Sequence, residues 1–235
     1  REFEAVIGDS AKQIGFLPIG DVDTLPKATL PSDLPRPERL FLQYSSGTTG
    51  LRKGIIISQT AFEAYLVAVP SALGITEKDS VASWLPLNHD MGLVAAFLIP
   101  VWSGASAFHI SPFEWLKDPS LLLQEISRYR ATLCWMPNFA FKFFATRVSD
   151  AEMEGVSLET MRAFVSGGEV VRADSMRAFL HRFKKYGVRA EKLHATWGLA
   201  ETVMGVTQTP LDRPARIDRV DAEEMLTRRR AVPAD

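Results

Sequence analysis

The chain has 235 residues, 46 % of them hydrophobic, with 27 Lys and Arg against 28 Asp and Glu and a formal net charge of -1. That composition belongs to an ordinary globular core, and the balanced charge leaves no global field to draw the chain to nucleic acid or an anionic membrane surface. The single Cys134 excludes an internal disulfide and a cysteine-based zinc site, which favours a reducing, cytoplasmic home. The longest apolar run, GLVAAFLIPVW, is about half the roughly 20 residues a bilayer span needs, and Pro100 interrupts it. The opening REFEAVIGDS has neither an initiator Met nor a signal-peptide pattern, and its start in mid-strand points to a fragment.

EAVIGD (4–9) is a predicted strand, followed by a connector punctuated by Pro26, Pro31, Pro35 and Pro37. From Phe41 onward strand and helix alternate. The strand LFLQYS leads through a loop to a helix from about Thr60, which can cap it, to Leu73. Then come strand SVASWLP, an apolar helix from Asp90 to about Trp102, strand ASAFHI, helix DPSLLLQEISRYR, strand ATLCWMP and helix NFAFKFFATRV. Strand MRAFVSG precedes a helix near 173–186, whose Met176, Phe179, Leu180 and Phe183 recur at helical spacing, and strand KLHATWG follows. Strands separated by helices of this length predict right-handed crossovers and an α/β fold, a doubly wound parallel sheet flanked by helices. The expected organisation is a strand and Pro-rich connector over 1–40, an α/β core over 41–210, and a charged peripheral stretch over 211–235.

The loop YSSGTTGLRKG concentrates donors. Gly47, Gly50 and Gly54 permit close approach of backbone, Ser45, Ser46, Thr48 and Thr49 add hydroxyls, and Lys53 adds a point charge, so the ligand that fits is a phosphate chain. It is not a Walker A loop, because Arg52 stands where that motif requires glycine before the lysine, and the G-x-G-x-x-G spacing fails as well. The alternative is a plain hairpin turn with exposed hydroxyls.

These residues resemble the phosphate-binding loop of the AMP-forming carboxylate ligases, the superfamily of acyl- and aryl-CoA synthetases, peptide-synthetase adenylation domains and luciferases. SWLPLNHDMGLV resembles the segment carrying that superfamily's acyl-pocket histidine, FVSGGEVVR is similar to the strand end bordering adenine, and WGLAET to the motif that binds AMP and magnesium. Within the superfamily, SWLPLNHDMGL and ISRYRATLCWMPNFAFKFF look most like fatty-acyl-AMP ligases and related acyl-CoA ligases. The resemblance implies part of the large N-terminal domain of an adenylate-forming enzyme, with ATP and Mg²⁺ as cofactors. Ser45, Ser46, Gly47, Thr48, Thr49, Gly50 and Lys53 would hold the β- and γ-phosphates while a carboxylate attacks the α-phosphorus. Glu201 would ligate Mg²⁺, Trp197 would stack on adenine within the motif Gly198, Ala200, Glu201 and Thr202, and Gly167, Gly168 and Glu169 would line the base's other side. His89 would orient the carboxylate, and Trp135, Met136, Asn138 and Phe139 would wall the acyl pocket. CoA or a carrier-protein thiol would accept the acyl group.

Each assignment has a structural alternative: an N-terminal acid for Glu201, core aromatics for Trp197 and the pocket wall, a carbonyl-bonded core imidazole for His89. The sequence departs from the family at Arg52 for the usual proline, at Ala200 for a threonine that many relatives carry, and at Asn88 for an aromatic residue. No TGD segment and no lysine-bearing C-terminal domain follow WGLAET, so the chain is expected to fold without turnover and to self-associate through an exposed apolar face. A non-catalytic nucleotide- or acyl-binding module is the alternative function. A P-loop NTPase fails on spacing, and a flavodoxin-like interaction domain leaves Lys53 and WGLAET unexplained.

Overall fold

The computed structural model describes residues 37–44 and 53–234, which lie in one compact unit, Pro37–Asp235. The expected strand at 4–9, the connector as far as Arg36, and the loop residues Ser45, Ser46, Gly47, Thr48, Thr49 and Gly50 lie outside the described residues.

Two sheets are present among the described residues. β1 (Arg39–Tyr44) and β2 (Gly54–Ser58) form an antiparallel pair with Tyr44 opposite Gly54, so the two ends of the intervening loop are neighbours. The larger sheet contains β3 (Ser80–Ser83), β4 (Ser106–His109), β5 (Leu133–Met136), β6 (Ala163–Ser166), β7 (Leu193–Gly198) and β8 (Gly205–Gln208), in the order β4-β3-β5-β6-β7-β8. All its pairings are parallel except β7 with β8. LCWM and AFVS are buried at every position, as central strands covered on both faces must be.

The strand LFLQYS is therefore not a member of the parallel sheet, as the alternating pattern had suggested. Its own side chains explain this: Phe41 and Gln43 face inward while Leu42 and Tyr44 are 58 % and 66 % exposed, and one-sided burial suits an antiparallel hairpin. β8 was likewise not foreseen, being a four-residue strand with little apolar alternation.

The helices are α1 (Gln59–Leu73), α2 (Ile99–Ser103), α3 (Pro112–Lys117), α4 (Ser120–Tyr129), α5 (Asn138–Arg147), α6 (Ala173–Phe183) and α7 (Ala222–Arg228). Ser58, not Thr60, caps α1, its hydroxyl accepting the Ala61 N–H at 3.1 Å. The apolar segment after Asp90 is π-wound over Met91–Leu98 before it becomes α2. Pro100 supplies a reason, because it has no N–H for the carbonyl of Ala96 four residues earlier, and His109 on β4 places Nε2 3.1 Å from that carbonyl instead. α3, a turn and a half started by Ser111, was not anticipated.

The chain runs from β3 outward to β4, then crosses back over β3 to β5, β6 and β7. With right-handed crossovers that reversal sends the Met91–Ser103 helical segment to one face and α4, α5 and α6 to the other. α5 and α6 pack through Phe141, Phe144, Phe179 and Phe183, with ring centroids of Phe141 and Phe179 5.3 Å apart. The charged stretch after 211 contains α7, which has no buried residue. Val101, Trp102, Phe113 and Leu116 are exposed apolar side chains outside the core.

Candidate nucleotide and acyl site

The C-terminal ends of β3, β5, β6 and β7 define one edge of the sheet, where ligands of parallel α/β sheets collect. β6 ends in Ser166-Gly167-Gly168-Glu169. A β-carbon on Gly167 would stand 2.5 Å from Thr196 Cγ2, so only glycine lets this turn lie flat against β7. One on Gly168 would meet Met91 Cε at 3.1 Å and His89 Cε1 at 4.0 Å, which puts the histidine over the same turn. Glu169 accepts the Phe139 N–H at 2.6 Å, so its carboxylate ties the turn to the start of α5.

His89 is half exposed, and its Nδ1 lies 2.8 Å from Asp90 Oδ1. That hydrogen bond raises the imidazole above its ordinary range, with burial working in the opposite direction. Asp90 also accepts the Met91 N–H at 2.6 Å and Gln43 Nε2 at 3.4 Å.

On β7, Trp197 is 58 % exposed and its backbone N–H donates to Thr207 Oγ1 at 3.3 Å. It borders a cleft of about 670 Å³ together with Glu169, Val170, Thr196 and Arg213. Gly198 is required where the chain turns, since a β-carbon there would overlap the Met204 carbonyl. The Ala200–Thr202 turn is held by the Thr202 hydroxyl, which accepts the Leu199 N–H at 3.2 Å and donates to the Leu199 carbonyl at 2.9 Å. Glu201 is exposed at this turn. Val203 follows with φ 71° and ψ -52°, a positive-φ conformation that a β-branched residue rarely adopts. Gln43 Nε2 donates to its carbonyl at 3.0 Å, Tyr65 Oη accepts the Gly205 N–H at 2.9 Å, and β2 packs beside the turn. Burial drives the Tyr65 hydroxyl up to about 12.

These contacts correct the expected geometry. The loop motif and WGLAET do not end strands of one parallel sheet; the β1–β2 hairpin is set against the end of β7 by Gln43 and β2. Lys53, at the foot of β2, and Glu201 thus belong to elements that pack together, as do His89, Gly167 and Gly168. Among the described residues no three His, Cys, Asp or Glu side chains form a metal cluster. A lone exposed carboxylate such as Glu201 nevertheless fits Mg²⁺, which is commonly held by one or two carboxylates plus phosphate and water oxygens.

The acyl-side residues divide. Trp135 and Met136 are sealed in the core, and the Asn138 amide is buried, donating to Ser166 Oγ at 3.2 Å. Phe139 is the exposed one of the four, 50 % exposed beside a cleft of about 410 Å³ that Asn138, Lys142, Phe143, Glu169 and Arg172 also line. Its ring stands against the stacked pair Trp84–Trp115, whose centroids are 3.7 Å apart. A larger cleft, about 780 Å³, opens at the opposite, N-terminal edge between Glu77, Lys78, Ser106 and Thr132. None of the motif residues reaches it, and parallel strands do not gather ligands there.

Sequence reasoning missed Gln43, Tyr65, Asp90 and Val203. A polar Gln in phase with Phe41 on a one-sided strand was the available signal for the first; the positive φ of Val203 had none.

The family model for AMP-binding enzymes matches residues 7–223. The chain is 32 % identical over 195 residues to a 4-hydroxyphenylalkanoate adenylyltransferase of Mycobacterium tuberculosis, covering 81 % of this chain and 32 % of that protein. It is 31 % identical over 185 residues to a medium-chain-fatty-acid–[acyl-carrier-protein] ligase of Moorena producens, covering 79 % and 31 %. The fold matches a fatty acyl-adenylate ligase from Legionella pneumophila, solved in complex with acyl adenylate and pyrophosphate, at TM-score 0.77 and 31 % identity, covering 88 % of this chain and 36 % of that one. The chain spans about a third of the length of these relatives. On the extent of the family match and the α/β fold that carries it, the chain belongs to the AMP-binding enzymes, among fatty-acyl-CoA and fatty-acyl-AMP ligase homologues.

Proposed function

We propose that the protein activates a carboxylic acid, a fatty or other acyl acid, with ATP, for transfer to the thiol of CoA or a carrier protein. The carrying observation is the convergence of the β1–β2 hairpin, the Glu201 turn, the Gly167–Gly168 turn and His89 at one edge of the sheet. A carboxylate oxygen would attack the α-phosphorus, the bond to the β-phosphate oxygen would break, and pyrophosphate would leave; a thiolate would then attack the acyl carbonyl and release AMP. Two anions must meet, so positioning and charge neutralisation dominate the barrier. Ser45, Ser46, Gly47, Thr48, Thr49, Gly50 and Lys53 would hold the departing phosphates. The exposed ring of Trp197 would stack on adenine, with Gly167, Gly168 and Glu169 opposite. With Nδ1 committed to Asp90, His89 would offer Nε2 to the incoming carboxylate. Mg²⁺, bound through Glu201, would supply charge neutralisation between phosphate oxygens.

The test is hydroxamate trapping in the intact protein, with ATP, Mg²⁺ and fatty and aryl acids of graded length. Acyl hydroxamate from at least one acid is expected. AMP binding with no hydroxamate from any acid would leave a nucleotide-binding module and overturn the ligase reading.

A further inference from the structure

We propose that Gln43 is a positioning residue, whose one buried amide sets the strand entering the loop at 45–53 against both the Glu201-bearing turn and the His89–Asp90 pair. This rests on the ligase reading above. Gln43 lies two residues before Ser45 and is 8 % exposed. Its NH₂ group has two hydrogens. One serves the Val203 carbonyl at 3.0 Å, the other reaches Asp90 Oδ2 at 3.4 Å. The reversed amide would point an oxygen at two oxygens, so the chemistry fixes its orientation.

Both acceptors matter to the site. Asp90 uses its other oxygen to hold His89, and Val203 carries the strained turn directly after Glu201 and Thr202. A β-branched residue at positive φ persists only where its surroundings over-determine it. Here the surroundings are Gln43 on the Val203 carbonyl and the Tyr65 hydroxyl on the Gly205 N–H. The preceding residue in phase with it, Phe41, packs edge-on against Phe62, an apolar contact that does not call for glutamine at position 43. A leucine would fill the volume and leave both oxygens without their donor.

The experiment is acid-dependent ATP–pyrophosphate exchange in the intact protein, with melting temperature measured alongside, for wild type, Gln43→Leu, Gln43→Glu and Tyr65→Phe. Misplacing catalytic groups by about 1 Å costs on the order of 10²-fold, so kcat of both Gln43 variants is expected to fall roughly 10–100-fold, with KM for acid and ATP within about threefold, in protein that remains folded. Tyr65→Phe is expected to lower kcat in the same sense. Should the leucine variant not fold, Gln43→Asn, which withdraws the amide by one methylene, is read by the same criterion. A folded Gln43→Leu with kcat within about twofold of an active wild type would overturn the inference and leave the ligase reading intact. A wild type that exchanges with no acid would overturn both.

Discussion

His89 keeps its proton to higher pH than a free imidazole because its Nδ1 is hydrogen-bonded to Asp90, and partial burial removes only part of that gain. A histidine raised in the folded state contributes stability that is full below the unfolded value, about 6.5, and lost as pH rises through the folded value. Asp90→Asn should therefore lower the His89 midpoint in proton NMR and flatten the fall in stability across that window; an unmoved midpoint would detach Asp90 from His89. Lys53 is proposed to hold the phosphates and Glu201 the Mg²⁺ beside them. Each charge-assisted contact contributes roughly 1.5–3 kcal/mol, so Lys53→Ala and Glu201→Gln should each slow pyrophosphate exchange about 10–100-fold, with partial rescue of the second by raised Mg²⁺. Exchange at the wild-type rate in both would remove those roles. His89, Trp197 and Glu201 could be nominated from the sequence because each sits in a motif. Gln43 and Val203 could not, since what joins them is a single hydrogen bond across 160 residues of chain.

At the scale of elements, strands and helices announced themselves where burial was two-sided or helical spacing was strict, as in LCWM, AFVS and the 173–186 segment. They were misread where one tertiary contact decided the outcome. Pro100 with His109 makes the π-wound segment, and one-sided burial takes β1 out of the main sheet. Gly198 tests the β7–β8 connection. A methyl there would overlap the Met204 carbonyl, so Gly198→Ala should cost about 1–3 kcal/mol in chemical denaturation and displace the turn bearing Glu201. An alanine variant as stable as wild type would show that this turn is not constrained as described. Ser58→Ala should cost about 1 kcal/mol by uncapping α1, with no change in exchange kinetics beyond that of stability.

Across the whole molecule, Asp79 fastens three elements at the edge remote from the site. Burial alone would raise its carboxyl, but Arg162 at 2.6 Å, Thr132 and the Thr76 N–H together hold it below the usual range. Arg162 also donates to the carbonyls of Leu73 and Gly74 at the end of α1. Asp79 is buried but Arg162 is about a third exposed, so solvent screens part of the loss and Arg162→Ala should destabilise by about 1–3 kcal/mol. A depressed carboxyl stabilises above its unfolded value, about 3.9, and loses that contribution as pH falls through the folded value, so acid unfolding of the variant should show a shallower pH dependence. This network occupies the edge with the cleft of about 780 Å³, while the motif residues occupy the other. The two edges make competing claims on the nucleotide, and an NMR titration of the protein with AMP decides between them. Shifts confined to residues near Lys53, His89, Gly167–Glu169 and Trp197–Gly205 are expected; shifts centred on Glu77, Lys78, Ser106 and Thr132 would contradict the account.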